Sequence, residues 1–294
     1  MEAMHAINLR GRLYSFDSPK VMGIINVTPD SFYGSSRVSG REAIRRRAAE
    51  MVSEGVDIFD VGGYSTRPGA EEISPREEME RLAPALEILK EDFPEIPVSV
   101  DTFRAGVAEK CVREFGADII NDVGGGTLDP EMFGTVASLS VPYILMHMRG
   151  TPATMQTMTD YGDVTADVIS DLAFKADRRR QLGVADIIID PGFGFAKTIE
   201  QNYQLLAGLP EFRRLGMPIL AGMSRKSMIW KPLNITPDKS LPGTITLHTY
   251  AMLAGADIIR VHDVAAAVQS ARVAGMILKQ LRSDGSFTLS NEND

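Results

Sequence analysis

The chain has 294 residues, a net charge of −8, 44% hydrophobic and 24% charged residues, and one cysteine. That balance is ordinary for a globular protein, argues against general nucleic-acid binding, which needs basic surface, and leaves no run near the roughly 18 apolar residues of a membrane-spanning helix. Cys111 has no partner for an internal disulfide, and the amino terminus mixes Glu2, Arg10, Arg12 and Asp17 without an apolar core and cleavage site, so a cytoplasmic protein is expected.

Residues 1 to 20 read as a short antiparallel lead-in, with Tyr14 and Phe16 alternating with polar neighbours. Strand-like runs follow at Val21 to Val27, Asp57 to Val61, Val98 to Asp101, Asp118 to Asp122, Tyr143 to His147, Asp186 to Asp190, Ile219 to Gly222 and Asp257 to Val261. Between them lie stretches of helical period, such as Glu42 to Glu54 and Glu77 to Lys90. A weak repeat of glycine followed by Ala-Asp-Ile, Val-Asp-Ile or, at Gly183, Val-Ala-Asp-Ile, starting at Gly55, Gly116, Gly183 and Gly255, marks helix ends at which a left-handed glycine hands over to a strand. Eight right-handed βα units without a composition break predict an α/β fold with a single (β/α)8 TIM barrel over residues 1–282 and a polar tail over 283–294. An open doubly wound sheet is the alternative, but no Gly-x-Gly-x-x-Gly follows the first strand.

The stretch Val184 to Lys197 condenses this logic: an apolar strand, Ile187 to Ile189, ends in Asp190 and turns through Pro191, Gly192 and Gly194 beside Phe193 and Phe195. A β-branched run of this kind belongs to a parallel strand buried on both faces, and its carboxyl end is where such folds place chemistry. The other strand ends carry Asn26, Thr66 with Arg67, Asp101, Asn121 with Asp122, His147, Lys226, and Arg260 with His262. Any one of these is as well explained as a capping residue, but their convergence on one rim is not. Asp101, Asn121, Asp190 and Lys226 suit the donor and acceptor edge of a flat nitrogen heterocycle, whereas Asn26, Arg67, Arg260 and His262 suit phosphate oxygens. Ser224 to Ser227 is expected to open a helix whose amino terminus favours an anion at Ser227. The loops Thr28 to Arg37 and Gly63 to Ser74 read as covers for the rim. His147 with Met146, Met148, Met155 and Met158 is weak evidence for a metal, and the four histidines form no zinc pattern.

Asn26-Val-Thr-Pro-Asp-Ser-Phe, Ser65-Thr-Arg-Pro-Gly-Ala, Val100-Asp-Thr, Ile120-Asn-Asp, Met146-His-Met-Arg-Gly-Thr-Pro, Asp190-Pro-Gly-Phe-Gly-Phe, Gly222-Met-Ser-Arg-Lys-Ser and Arg260-Val-His-Asp together resemble the dihydropteroate synthase family, the folate-pathway enzymes inhibited by sulfonamides. The resemblance spans about residues 20 to 282 with the motifs in order. It implies a transferase that condenses 6-hydroxymethyl-7,8-dihydropterin pyrophosphate with 4-aminobenzoate, releasing pyrophosphate, with Mg2+ as cofactor and a homodimer as the assembly. It also implies that Asp101, Asn121, Asp190 and Lys226, with Met146 and Gly222, hold the pterin. Asn26 would meet magnesium and pyrophosphate, and Arg67, Arg260 and His262 the pyrophosphate. Thr66, Pro68, Phe195, Lys226 and Ser227 would shape the aminobenzoate pocket. Arg67, Lys226, Arg260 and His262 are the catalytic candidates.

Two departures stand out: Tyr64 where the family commonly has Glu before Ser-Thr-Arg-Pro-Gly, and Tyr33-Gly34-Ser35 where an acidic residue commonly follows Asp-Ser-Phe. They bear on loop closure and metal help, not on the substrate class. The rival readings are a methyltetrahydrofolate-dependent methyltransferase, which has no use for the Arg-x-His pair, and a non-catalytic pterin-binding paralogue. The apolar stripes of Thr244 to Ala254 and Ala265 to Leu281 are candidates for a dimer face.

Overall fold

A computed structural model describes residues 5–28, 37–65 and 72–283. Strands β1 (Ala6–Leu9) and β2 (Arg12–Ser15) form an antiparallel hairpin, the lead-in expected from sequence. The chain then alternates: β3 (Lys20–Asn26), α1 (Arg37–Glu54), β4 (Ile58–Gly62), α2 (Pro75–Asp92), β5 (Val98–Asp101), α3 (Ala105–Arg113), β6 (Ile119–Asp122), α4 (Met132–Leu139) and β7 (Tyr143–Met146). It continues through α5 (Val164–Gln181), β8 (Ile187–Asp190), α6 (Ile199–Ala207), β9 (Leu220–Ala221), α7 (Ser227–Trp230), α8 (Leu241–Leu253), β10 (Ile258–Val261) and α9 (Val264–Ser283). Strands β3 to β10 are parallel, in the order β8-β7-β6-β5-β4-β3-β10-β9, and a bridge between Ile189 and Ile219 brings the two edges together. The result is a nearly closed eight-stranded barrel with helices outside.

Period-two alternation sorts the barrel strands into two faces. Outward residues such as Val21, Phe59, Val100, Ile120, Leu145, Ile189 and Ile259 join the large core beneath the helices. Met22, Ile58, Ile119, Ile144, Ile188, Leu220 and Ile258 form a separate inner cluster, and the hairpin adds Ile7 and Leu9, with Phe16 just beyond it. The hairpin therefore plugs the amino-terminal end of the barrel with apolar side chains, leaving the carboxyl end for chemistry. Two residues beyond the inner layer, the same strands carry Ile24, Asp60, Asn121, Met146, Asp190, Gly222 and Arg260, and β5 carries Asp101 two beyond Ser99. One step of strand parity thus changes the barrel lining from hydrocarbon to charge.

Local chemistry fixes the helix starts. Ser74 Oγ accepts from Glu77 N with Pro75 in the first turn of α2, and Thr198 and Gln201 form a reciprocal cap on α6. The repeat glycines Gly55, Gly116, Gly183 and Gly255 all take positive φ, as the handover from helix to strand requires.

Most element ends lie within a residue or two of those read in the sequence, and three differences are more telling. Helix α1 already runs from Arg37, five residues before the apolar period becomes visible. Strand β9 keeps only two ladder residues, because it sits at the closing seam. The helix expected after it, α7, is a single turn with Lys226 at its cap and no side-chain capping bond, so a helix-terminal anion site at Ser227 gains little from it.

Candidate active site

At the centre of the mouth, Arg260 of β10 reaches across the barrel: its Nε donates to Asp60 Oδ2 at 2.6 Å and its Nη2 to Asp101 Oδ2 at 2.7 Å. Asn121 Nδ2 donates to the same Asp60 carboxylate at 3.2 to 3.3 Å. Asp60 is fully buried and links two site residues without itself reaching the opening. Burial opposes the Arg260 charge, but the two carboxylates outweigh it and hold its pKa above the ordinary value. Burial pushes the Asp101 carboxyl up to about 7, against the pull of Arg260.

Asp190 lies at the end of β8, where its Oδ1 accepts from Gly192 N at 2.7 Å; burial raises its pKa and Lys226 opposes that rise. Lys226 donates to the Phe193 carbonyl and sits 4.7 Å over the Phe195 ring. Burial brings its ammonium down to about 8 despite Asp190. A Cβ on Gly222 would lie 4.0 Å from Lys226 Nζ and 3.8 Å from Arg260 Cβ, so the absence of a side chain there keeps the two cations accessible. Met146 packs with Met148, Met155, Val123 and Ala196, and Phe195 flanks that cluster.

The lip of the mouth after β9 and β10 is tied by a bidentate ion pair. Arg225, in a left-handed conformation (φ 55°), donates through Nε and Nη2 to Asp263 at 2.8 and 2.6 Å. That pair joins the loop carrying Lys226 and Ser227 to the loop carrying His262, whose Nδ1 lies 2.9 Å from Ser224 Oγ. Asn26 closes β3 beside Gly62: a Cβ there would lie 3.7 Å from Asn26 Oδ1 and 3.8 Å from Asp101 Oδ2, so two hard oxygens border one small residue.

Asp101, Asn121, Met146, Asp190, Gly222, Lys226 and Arg260 are thus brought together, with Asn26, His262, Phe195 and Ser227 around them. Two rim candidates turn elsewhere. Asp122, one residue after Asn121, accepts from Gly124 N, Gly126 N and Tyr143 OH, and so organises its own loop. His147 is buried and meets Lys197, and burial forces its pKa down to about 2, so it is neutral. Thr66, Arg67 and Pro68 lie outside the described residues, as do Tyr33, Gly34, Ser35 and all but the first residue of the tail. Tyr64 is described: it meets Phe103 edge-on at 5.4 Å and lies over the Arg104 guanidinium at 5.2 Å. Sequence reasoning missed Asp60, Arg225, Asp263 and Lys197. An acid inside the otherwise apolar run Ile58-Phe-Asp-Val was the available signal for Asp60. Among the described residues no group of three or more His, Cys, Asp or Glu could hold a metal ion.

The model of the pterin-binding enzymes matches residues 22–262. The chain belongs to that family. A dihydropteroate synthase of Synechocystis is 46% identical to this pterin-binding chain over 257 residues, 86% of it and 88% of the relative. Among solved structures, the dihydropteroate synthase of Yersinia pestis with a sulfonamide drug complex superposes with a TM-score of 0.85 at 37% identity, covering 95% of this chain and 99% of the other. The Xanthomonas albilineans enzyme with 4-aminobenzoic acid gives a TM-score of 0.85 at 37% identity, covering 96% and 99%. The fold and family inferred from the motifs therefore hold.

Proposed function

We infer that this pterin-binding chain is a dihydropteroate synthase, joining 6-hydroxymethyl-7,8-dihydropterin pyrophosphate to 4-aminobenzoate and releasing pyrophosphate. The observation that carries the reading is the buried polar floor: Asp101, Asn121 and Asp190 set against Arg260 and Lys226 inside one barrel mouth, with Asp60 beneath them holding Asn121 and Arg260. Such a set binds a flat ring by its hydrogen-bonding edge, and the barrel walls exclude water from its faces. The Lys226 ammonium above Phe195 and the neighbouring Ser227 suit the second substrate, an aromatic ring with a carboxylate, with Thr66 and Pro68 assigned to the same pocket. His262, Asn26 and Arg67 are assigned to the pyrophosphate.

In the proposed reaction the bond between the pterin methylene carbon and the pyrophosphate oxygen breaks first, its electron pair leaving with the oxygen. The dihydropterin ring shares the positive charge left on carbon. The amine lone pair of aminobenzoate then forms the new carbon–nitrogen bond, and the amine releases a proton to solvent. An aromatic amine is a weak nucleophile, so holding it in line contributes more than activating it. Asp101 and Asp190 stabilise the cationic ring, while Arg260 and His262 meet the charge on the leaving group.

Magnesium belongs to the proposal. The donor set fits an ion that arrives on pyrophosphate, since Asn26 offers one hard oxygen at Gly62 and, among the described residues, no protein cage surrounds it, the usual magnesium arrangement. Bound there, the ion would neutralise charge on the leaving group. A homodimer through α8 and α9 is proposed on their exposed Tyr250, Val273, Met276 and Ile277, and a cytoplasmic location on the buried free thiol of Cys111. No described helix is long and apolar enough to cross a membrane.

The reading is tested by incorporation of labelled 4-aminobenzoate into dihydropteroate, with a sulfonamide as competitor. Incorporation blocked competitively supports it. Absence of incorporation removes it.

A further inference from the structure

Asp190 and Phe195 sit on one short loop whose two glycines take the positive φ that glycine permits, and which then forces the same conformation on an alanine. Gly192 and Gly194 have φ of 72° and 82°, and Ala196, fully buried, has φ of 50°. A left-handed conformation costs a residue with a Cβ about 1–2 kcal/mol, so something outside the loop must stabilise this one. Lys197 is the group placed to do it. It is buried, and its Nζ lies 3.0 Å from Gly192 O, 3.1 Å from Phe195 O and 3.0 Å from His147 Nδ1. Burial brings its ammonium down to about 7 against the pull of Asp190, and in the charged form its three donors face two carbonyls and a ring nitrogen that accepts when the His147 proton is on Nε2.

The other loop groups are satisfied separately. Gly192 N donates to Asp190, Gly194 N to Asn202 Oδ1 at 2.6 Å, and Phe193 O accepts from Lys226. The Lys197 ammonium therefore holds the two ends of the turn from behind, while Lys226 holds its middle from the mouth. The Lys197 charge reaches Asp190, but the position of Asp190 is fixed by its strand, which pairs with β7. Phe195 needs it most, since its carbonyl has no other partner among the contacts just described.

We propose that Lys197, supported by His147, is a positioning residue that fixes the ring of Phe195 and so sets recognition of the aromatic second substrate, while the pterin floor is held independently. The inference rests on the synthase reading, because only that reading assigns an aromatic amine to Phe195. His147 is the base of the device: it is neutral, the tautomer with its proton on Nε2 lets Nδ1 accept from the ammonium, and the close backbone approach of Gly192 to His147 O locks the two loops together.

The test compares Lys197→Met, His147→Leu and His147→Asn with the wild type, measuring KM for each substrate and the melting temperature. Lys197→Met is expected to raise KM for 4-aminobenzoate about tenfold or more with KM for the pterin pyrophosphate within about threefold, a ratio that general unfolding would not produce. His147→Leu should shift the same constant in the same direction, and His147→Asn, which keeps an acceptor at the Nδ1 position, should restore most of it. If Lys197→Met does not fold, the two His147 variants decide. Equal changes in both KM values, or no change, overturn the inference while leaving the synthase reading intact. A wild type without aminobenzoate-dependent turnover overturns both.

Discussion

Arg260 and Asp60 are locked at 2.6 Å across the barrel, and the same guanidinium reaches Asp101 at 2.7 Å. The cation is therefore already partnered by two carboxylates on adjacent strands, and its charge is offset before any anionic substrate arrives. Asp60 in turn accepts from Asn121, so a residue that no substrate need touch orients two that would.

Removing Asp60 leaves a buried guanidinium with one partner and an amide with none of its present contacts. Asp60→Ala should cost about 3 kcal/mol or more in urea unfolding, in the range for breaking a buried pair, and should weaken pterin binding as well. A loss below about 1 kcal/mol would show that the pair is structurally dispensable.

The Asp101 carboxyl gives a pH dependence of definite sign. Its folded pKa, pushed up by burial from an ordinary 3.8 to about 7, means that the folded protein holds a proton the unfolded chain has already released. Ionising it therefore costs stability as pH rises from about 4 to about 7. In the ligand-free protein, Asp101→Asn should gain stability relative to wild type at pH 8 and gain little at pH 4. Differential scanning calorimetry at the two pH values reads the difference, and a gain that is larger at pH 4 contradicts the assignment.

Gly192 and Gly216 separate steric from conformational cost. Both have positive φ, but a Cβ on Gly192 would lie 2.0 Å from His147 O, whereas nothing stands within 4 Å of Gly216. Gly216→Ala should cost about 1 kcal/mol, the left-handed penalty alone, and Gly192→Ala several times that, with activity lost. Comparable melting temperatures for the two variants would mean that the loop after β8 yields easily.

The Arg225 and Asp263 pair couples the loop of Lys226 to the loop of His262. Asp263→Ala should lower kcat/KM for the pterin pyrophosphate by about ten- to a hundredfold, with Asp263→Asn retaining more because it can still accept one of the two hydrogen bonds. Unchanged kinetics would assign the pair to stability alone.

Much of this was readable from residues. The strand ends gathered Asp101, Asn121, Asp190 and Arg260 on one rim, and the glycine repeat located helix ends. What escaped was the support behind them. Asp60 looked like one acid in an apolar strand, and its value lies in cross-barrel contacts with residues 61 and 200 positions away that no local pattern encodes. Lys197 only bounds the stretch from Val184 in the sequence, because spacing cannot reveal that a long side chain folds back to cap the carbonyls of its own loop. His147 and Asp122 were placed on the rim with the others. Each stands one residue after an inward-facing neighbour, Met146 and Asn121, and that single step turns the side chain away from the mouth.

The most direct measurement is pyrophosphate release by the purified protein given the pterin pyrophosphate, 4-aminobenzoate and Mg2+, with Lys226→Ala alongside. Release that requires aminobenzoate and falls at least about a hundredfold in the variant is predicted, since Lys226 stands between the pterin floor and Phe195. Tight pterin binding without release by the wild type would contradict the synthase and point to a binding protein on the same barrel.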